Sequence, residues 1–403
     1  MTDAEYDYRP VPDDDVEAFR RLVTYAFRPT ERPDPLDDPD DLPAPARIGA
    51  RRGIYDGDEL CCTGRHYWFT HRIRGERHAV GGLSAVSTPP KHRRRGLVRR
   101  LLAESLAEYR EREHHFASLW PFEYAFYRQF GWETASRYAV ATFEPDAIDF
   151  LDRVDPPECG RFVDLDADRW ADCEAVYRAE NDRALAMYRT EEWWRKRVFA
   201  GWDDDPYVAG WERDGELRGY LVYDIEDGDD SEGRRMRVYE TGAVDFEAHL
   251  EVLRFCRYHD SQVAKVTLHG PVDSSLHDLV EDPRAVEIEI EPGAMIRVVD
   301  VERALSGLAS PADGATTIAV EDPLVERNRG TFRLEASGGR ATCERTDGAA
   351  DAEVSIGTLS QLAVGYLSVE EAARFGRLDA SAEARETLAA LFPPDETFLR
   401  EGF

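Results

Sequence analysis

The sequence predicts a mixed α+β chain of two tandem units, each with a central mixed sheet flanked by helices, followed by a smaller α+β unit. Its 403 residues are enough for two or three domains with separate cores. Strand, helix and strand follow in the same order within residues 1–148 and again within residues 149–290. Short alternating strands and then helices occupy residues 291–403. These three ranges are the predicted domains.

The first unit opens with a strand over residues 6–11, and Asp13 to Asp15 then cap a helix. Residues 28–47 hold six prolines and six acidic residues, which predicts a mobile loop too polar to pack. The remaining elements alternate: a hairpin turning at Asp56-Gly57-Asp58, a strand over 80–86, a helix from Leu97, a strand over 116–120, a helix over 122–130 that Gly131 ends, and a strand over 138–143.

The same signals predict the other two units. Residues 149–290 hold helices over 167–180 and 191–199, a hairpin of 207–211 with 217–225, a strand over 237–244, a helix over 246–258 and a strand over 265–268. Residues 291–403 hold strands over 295–301, 317–320, 331–336, 340–345 and 352–356, then helices over 359–366, 368–375 and 381–391. Ser368-Val-Glu-Glu predicts a capping box at the second of these helices.

The most informative stretch joins the strand over 80–86 to the helix that begins at Leu97. Three consecutive arginines, Arg93 to Arg95, are closed by Gly96. The unpaired N–H groups and the dipole of a helix N-terminus attract anions, and guanidinium groups bind phosphate oxygens. Arginine runs are usually solvated surface, but a block of positive charge is unusual in a chain of net charge −30. A pyrophosphate site at this junction is therefore predicted.

Thr88-Pro89-Pro90 ends the preceding strand, because proline lacks the N–H that a sheet ladder needs. A strand that parts from its neighbour there offers free backbone groups to an extended ligand. Phosphates on arginines, together with amides on a strand edge, describe coenzyme A. The second unit has Val244-Asp-Phe-Glu-Ala at its own strand–helix junction, without Arg-x-x-Gly. If it repeats the first fold, it is predicted to be a scaffold without a phosphate site.

Composition narrows the class of protein. The chain has 81 acidic against 51 basic residues, and only Lys91, Lys196 and Lys265 are lysines. This balance favours a protein from a salt-rich cytoplasm, and a surface that recruits polycations stays open as the alternative. It disfavours nucleic-acid binding, which needs a broad basic face. Apolar runs fall short of the ~18 residues of a membrane helix, and the N-terminus lacks a signal-peptide pattern, so the prediction is a cytoplasmic protein with no membrane contact.

Spacing of the metal-binding residue types predicts no metal. The six cysteines lack a C-x-x-C pair, and the ten histidines lack H-x-x-x-H and H-E-x-x-H patterns. No Gly-x-Ser-x-Gly elbow of a serine hydrolase is present either.

Thr88-Pro-Pro-Lys-His-Arg-Arg-Arg-Gly-Leu resembles the acetyl-CoA motif of the GNAT superfamily, and most closely that of the enhanced-intracellular-survival (Eis-like) acetyltransferases. Tyr127-Arg-Gln-Phe-Gly-Trp132 is similar to that family's Tyr-x-x-Phe-Gly-aromatic segment, and the sequence ends on phenylalanine as family members do. The resemblance implies two tandem GNAT-like domains, the second degenerate, and a sterol-carrier-protein-like C-terminal domain. It also implies a homo-oligomer, often a hexamer.

The resemblance implies direct transfer of an acetyl group from acetyl-CoA to a primary amine. Tyr127 would be the general acid and the carboxylate of Phe403 the base. The expected cofactor-binding residues are Val86, Thr88, Arg93, Arg94, Gly96, Leu97 and Ser118. The backbone N–H of Val86 would bind the thioester oxygen, and a tyrosine hydroxyl of pKa ~10 suits protonation of a thiolate of pKa ~8.5. The expected acceptor is a small amine, an aminoglycoside-like polyamine or a lysine side chain.

The sequence departs from the family pattern in two places. Val98 stands at the last small position of the cofactor motif, and residues 119–126 replace a glycine-rich stretch near the acceptor channel. The acceptor therefore stays open. The alternatives are a non-catalytic coenzyme-A sensor, a lipid-binding protein that uses the C-terminal unit, and carbohydrate or ester chemistry on paired carboxylates, for which no pair stands out.

Overall fold

The computed structural model describes residues 6–32, 38, 41–228 and 233–403, and its strands form three sheets. The strands are β1 (Tyr6–Pro10), β2 (Ala50–Asp56), β3 (Glu59–Ile73), β4 (Glu76–Ser87), β5 (Phe116–Leu119), β6 (Glu133–Thr134), β7 (Arg137–Phe143), β8 (Gly160–Asp164), β9 (Tyr207–Arg213), β10 (Glu216–Glu226), β11 (Arg235–Ala243), β12 (Lys265–Gly270), β13 (Val286–Pro292), β14 (Met295–Val298), β15 (Gly314–Glu321), β16 (Gly330–Ser337), β17 (Arg340–Thr346), β18 (Ala352–Ser355) and β19 (Leu378–Ala380).

The α-helices lie between these strands. They are α1 (Val16–Phe27), α2 (Leu97–Glu111), α3 (Tyr124–Arg128), α4 (Trp170–Glu180), α5 (Glu191–Trp193), α6 (Phe246–Arg257), α7 (Leu276–Leu279), α8 (Val301–Leu305), α9 (Ile356–Val364), α10 (Val369–Arg374) and α11 (Ala382–Leu391). Within the described ranges, each helix is too short or too polar to cross a membrane.

The first sheet has the order β1-β2-β3-β4-β5-β14-β6. Helix α2 buries Leu101, Leu102, Leu106 and Tyr109 against it, at the helical spacing that the sequence shows. Helix α1 packs through Phe19 against Tyr55 and Leu60. The sheet is mixed, because β4 and β5 run parallel while the other ladders are antiparallel.

The second sheet has the order β13-β7-β12-β11-β10-β9-β8 and repeats the plan of the first. Its parallel pair is β11 with β12, and α6 packs against it through Val252, Leu253 and Cys256. Helix α4 contributes Val176 and Tyr177 to a different core. Two mixed sheets flanked by helices confirm the predicted fold class.

Two strands are exchanged between the units that the sequence predicts. Strand β7, which the sequence groups with the first unit, pairs with β12 and β13 of the second sheet. Strand β14, grouped with the third unit, pairs with β5 and β6 of the first sheet. Order along the sequence does not give these pairings, because an alternating pattern predicts a strand without specifying its partner. The domain limits at 148 and 290 stay predictions.

The third sheet, β17-β16-β15-β18-β19, packs against α9, whose residues are all buried. Helix α9 also contacts the first sheet: Ser360 Oγ accepts from the Val298 N–H at 2.8 Å, and Gln361 donates to the Thr134 carbonyl at 2.7 Å. The capping box at Ser368 and Glu371 is present as predicted.

The proline-rich segment differs from its prediction where it is described. Leu42 and Ala46 are buried against Val16 rather than left unpacked. Residues 33–37 and 39–40 of the predicted loop lie outside the described residues. The many charged residues of the segment mask its few apolar side chains in the sequence pattern. Those side chains are enough to form a small core beside α1.

Candidate active site

The parallel strands β4 and β5 part at the centre of the first sheet. Their ladder runs from Val80 opposite Phe116 to Gly82 opposite Ser118 and ends there. Strand β4 continues to Ser87, whereas β5 ends at Leu119. On the side of β5, residues 83–87 of β4 have no strand partner within the described chain. The strands separate before the prolines, so the free edge is longer than the sequence predicts.

A β-bulge interrupts the free edge. Thr63 pairs with Ser87 and Arg65 with Ser84, so Ala85 and Val86 together face the single residue Gly64. Ala85 has a φ of 52°, in the left-handed region that a β-carbon disfavours, and its carbonyl accepts from the Thr63 hydroxyl at 2.9 Å. The bulge changes the direction of the strand at Val86.

The segment of residues 88–96, here called the cofactor turn, leads from β4 to α2. A 3-10 turn over Pro90–His92 is followed by two residues in the left-handed region, Arg94 with φ 60° and Gly96 with φ 76°. Arg93 Nε donates to the Thr88 carbonyl at 2.9 Å and closes the turn. Helix α2 begins after Gly96 without a side-chain cap. Its first N–H groups therefore remain available for an anion.

A cavity of about 610 Å³ lies along the edge of β4 and the cofactor turn. The predicted residues Val86, Thr88, Arg93, Arg94, Gly96 and Leu97 all line it. The rest of its lining comes from α1, the end of β4, the cofactor turn, α2 and the segment around α3: Ala26, Phe27, Ser87, His92, Val98, Arg99, Phe122, Phe126, Gln129 and Phe130. Phe122, Phe126 and Phe130 form the aromatic wall of the cavity. Its only sign in the sequence is the apolar character of residues 122–130.

Tyr127 is buried against two aromatic residues of this cavity, and Ser118 is buried where β4 and β5 part. The Tyr127 ring packs edge-on against Phe122 and Phe126, at centroid distances of 5.5 and 5.2 Å. Burial, with a smaller contribution from Cys62, raises the pKa of Tyr127, so its hydroxyl stays protonated through neutral pH. Ser118 lies where β4 and β5 part, and its hydroxyl has no hydrogen-bond partner within the described chain.

Phe403 lies in a second cavity, of about 420 Å³. Its ring packs edge-on against Tyr67 at 5.5 Å and Phe69 at 4.8 Å, both on β3. The guanidinium-bearing residues Arg51, Arg65 and Arg197 line the same cavity, and so does Asp203. The terminal residue is therefore packed against the first sheet.

The residues before Phe403 are held by side chains of the first and second units. The Glu401 carboxylate accepts from Arg189 Nε at 2.7 Å and from the Tyr177 hydroxyl at 2.8 Å. The Glu401 carbonyl accepts from Trp120 Nε1 at 2.7 Å, and Arg197 donates to the Gly402 carbonyl. Glu401 is 4% exposed. Sequence reasoning missed this anchor, because its partners lie far away along the chain.

The two cavities meet at the bulge. Val86 lines the first and its neighbour Ala85 the second, while Phe27 lines both. The structure thus brings the predicted cofactor residues together around one cavity and places Phe403 in the adjoining one. Tyr127 and Ser118 are both buried and line neither cavity.

Models of protein families match three parts of the chain. Residues 7–135 match an acetyltransferase (GNAT) domain, residues 185–298 match a second acetyltransferase (GNAT) domain, and residues 301–400 match a sterol carrier protein domain. The chain is an acetyltransferase with two GNAT domains. This finding confirms the predicted class of enzyme, with two GNAT domains and a sterol-carrier-like unit behind them.

Relatives of similar length agree with this assignment. An uncharacterized N-acetyltransferase of Streptomyces griseus is 29% identical, over 79% of this chain and 80% of its own. The N-acetyltransferase Eis of Mycobacterium tuberculosis strain H37Ra is 27% identical, over 84% of each chain. Among solved structures, a GCN5-related N-acetyltransferase from Anabaena variabilis superposes with a TM-score of 0.85 at 19% identity, covering 99% of this chain and 100% of its own.

Proposed function

We propose that this GNAT enzyme transfers the acetyl group of acetyl-CoA to a primary amine, with Tyr127 as general acid and the Phe403 carboxylate as base. The observation that carries the proposal is the free edge of β4, which opens at Gly82 and leads directly into the uncapped, cationic start of α2. An extended chain of amides that ends in phosphates matches both parts of this site.

The residues along the first cavity fit acetyl-CoA in a definite order. The N–H groups after Gly96 and the exposed guanidinium groups of Arg93 and Arg94 would hold the pyrophosphate. Backbone groups of Val86 and Thr88 would bind the pantetheine amides. The unpartnered hydroxyl of Ser118 lies where the strands part and would contact the cofactor there. The bulge directs Val86 toward the point at which the two cavities meet.

Acetyl transfer requires the acceptor ammonium to lose two protons and the departing sulfur to gain one. The Phe403 carboxylate, or a water that it holds, would take the first proton from the ammonium of the acceptor, which leaves a nucleophilic amine. As the new C–N bond forms and the C–S bond breaks, the Tyr127 hydroxyl would give its proton to the departing sulfur. The second proton of the nitrogen would then pass through water and restore the Tyr127 hydroxyl. The Val86 N–H would stabilise the oxygen of the reacting carbonyl. The raised pKa of Tyr127 keeps that proton available.

The second cavity is the proposed entry for the acceptor. Phe403 lines it and it meets the first cavity at the bulge, so an acceptor held there would lie beside the proposed base. The acceptor class is a small amine, a polyamine of the aminoglycoside type or a lysine side chain. Membership of the Eis-like branch, assembly into a homo-oligomer and a cytoplasmic location belong to the same proposal; the 27% identity to Eis supports the first of these.

The C-terminal unit offers less support for the alternative of lipid binding. Its interior is filled by its own side chains, among them Phe332, Leu334, Ile356 and Leu359, each at most 1% exposed. No lipid is proposed as its ligand.

Release of coenzyme A from acetyl-CoA with a panel of amines tests the proposal in molar KCl. Tyr127→Phe is expected to lower kcat by about 10²- to 10⁴-fold while acetyl-CoA still binds, because only the acidic proton is removed. Tyr124→Phe is the matched control on the same helix: its hydroxyl donates to the backbone carbonyl of Gly293 at 2.9 Å and has no proposed chemistry.

A chain lacking Phe403 is expected to bind acetyl-CoA and to lose transfer. If Tyr127→Phe keeps the wild-type rate, Tyr127 is not the acid. If deletion of Phe403 leaves the rate unchanged, the base lies elsewhere.

A further inference from the structure

A cluster of metal-binding side chains adjoins the cofactor turn. Glu59 and Cys61 lie two residues apart near the start of β3, so both project from the same face of the strand. His92 ends the 3-10 turn within the cofactor turn. One carboxylate oxygen, the thiol sulfur and one imidazole nitrogen all lie within 4.8 Å of one another. Carboxylate, thiolate and imidazole are the three ligand types that zinc accepts.

The geometry of His92 is the second observation that points to a metal. Its side chain is buried, at 5% exposure, and neither ring nitrogen has a hydrogen-bond partner in the part of the chain that is described. Nε2 nevertheless lies 3.3 Å from Oε1 of Glu59, without hydrogen-bond alignment. Two ligand atoms bound to one tetrahedral zinc ion at ~2.0–2.1 Å are separated by about 3.3–3.4 Å. This separation fits two atoms that face a common centre.

Lys91 competes for the same carboxylate. Its ammonium forms an ion pair with Oε1 of Glu59, and both side chains are exposed. An exposed pair of this kind is worth at most about 1 kcal/mol, which is little against the affinity of zinc for a thiolate site. A metal ion can therefore displace Lys91 from Glu59, and the buried Cys61 and His92 would supply the ligands that do not move.

We propose that Glu59, Cys61 and His92 bind one zinc ion, and that this ion braces the cofactor turn. Spacing along the sequence gives no sign of the site, because the hairpin and the cofactor turn bring its members together. His92 also lines the cavity assigned to acetyl-CoA, two residues before Arg94. Fixing the imidazole thus fixes the start of the turn whose N–H groups would hold the pyrophosphate.

Titration with Co²⁺ tests the site without any enzymatic reaction. The metal-free protein is expected to bind one equivalent and to show the thiolate-to-cobalt charge-transfer band with the visible bands of a tetrahedral site; one equivalent of Zn²⁺ should remove them. Cys61→Ser is expected to lose the charge-transfer band, and His92→Gln to weaken cobalt binding at least about tenfold. Cys159→Ser, which changes an exposed cysteine elsewhere, is the control and should match the wild type.

Absence of the band in the wild type, or its persistence in Cys61→Ser, would overturn the site. Glu59→Gln is a further variant at an exposed position, and circular dichroism checks that its fold is intact. If this folded variant binds cobalt as tightly as the wild type, Glu59 is not a ligand of the metal. The bracing role rests on the proposed function and has its own measurement. Zn²⁺ is expected to tighten acetyl-CoA binding by about fivefold or more in the wild type and not in Cys61→Ser. An equal affinity with and without zinc would overturn the bracing role alone, since the cobalt spectrum does not depend on acetyl-CoA.

Discussion

The two GNAT units share one plan of cleft, and in the second unit the C-terminal segment of the chain lies in it. In the first sheet β4 and β5 part after Gly82, and the opening leads to an uncapped helix start. In the second sheet the parallel pair β11 and β12 also ends early, at Val238 opposite Leu268, although β11 continues to Ala243. There the C-terminal segment lies in the opening: Arg400 donates to the Thr241 carbonyl, and Phe398 to Arg400 lie with Tyr239 and His269 around a small cavity.

The helix starts differ in the same sense. Gly96 leaves the first N–H groups of α2 free, whereas the side chain of Asp245 accepts from the Ala248 N–H at 2.9 Å and closes the start of α6. A carboxylate at that position also repels phosphate. The second unit therefore keeps the architecture of a cofactor cleft and uses it to hold the end of the chain.

The largest expected effect on stability comes from removing one buried carboxylate in the second cleft. Glu240 binds Arg189 through both carboxylate oxygens at 2.7 Å, and Arg400 lies 3.8 Å away. Glu240→Ala leaves these buried guanidinium groups short of their partner and is expected to lower the free energy of unfolding by about 3–5 kcal/mol. Urea denaturation followed by tryptophan fluorescence measures it.

The activity of Glu240→Ala tests whether the second cleft acts on catalysis without acting on the first cleft. Because the tail loosens while the first cleft is untouched, kcat should fall and acetyl-CoA affinity should persist. Glu247→Ala breaks an exposed pair with Arg213 and should cost less than about 1 kcal/mol. A parallel loss of acetyl-CoA affinity in Glu240→Ala would show that the second unit supports the first cleft itself.

A smaller effect is expected from the cofactor turn. Gly96 has φ 76°, and no atom lies within 4 Å of the position that a β-carbon would take, so Gly96→Ala changes only the backbone preference. The positive φ would strain an alanine at this position by about 1 kcal/mol. Relaxation of that strain would turn the first N–H groups of α2 away from the anion. Acetyl-CoA binding is expected to weaken at least about tenfold by calorimetry.

Gly57→Ala provides the matched control for that substitution. Gly57 has φ 61° and equally open surroundings, but it lies in the hairpin between β2 and β3. Both variants should lose similar stability, and only Gly96→Ala should lose affinity. Equal affinities would mean that the start of α2 does not bind the phosphates.

The smallest effect is expected at the cap of α6. Asp245→Ala should cost about 1 kcal/mol of stability, as the loss of a helix cap does, and Asp166→Ala, at another capped position in the second unit, should behave alike. Calorimetry should still find one acetyl-CoA per chain, because the tail fills the cleft. A second equivalent bound by Asp245→Ala would show that the cap alone had excluded it.

Local signals predicted much of the fold and the first cleft. Residues 80–98 contain their own strand, stop and helix start, and the structure places six of the predicted cofactor residues around one cavity. The bulge at Ala85 has no such signal, since alanine gives no sign of a positive φ. The anchor of Glu401 depends on Tyr177 and Arg189, more than 200 residues away in sequence.

One strand that the sequence does indicate is missing from the predicted elements. Val286, Ile288 and Ile290 alternate with glutamates along β13, which is a pattern typical of a strand. The sequence does not predict the pairing of β13 with β7, because the two strands are far apart along the chain.

The exchange of β14 into the first sheet bears on how the protein is made. Strand β14 lies between β5 and β6, yet it leaves the ribosome long after both. At roughly 5–20 residues per second, the interval between residues 134 and 295 is about 10–30 s. During that time β5 and β6 emerge without the strand that joins them, and the nascent chain exposes an unpaired edge on which a chaperone can act.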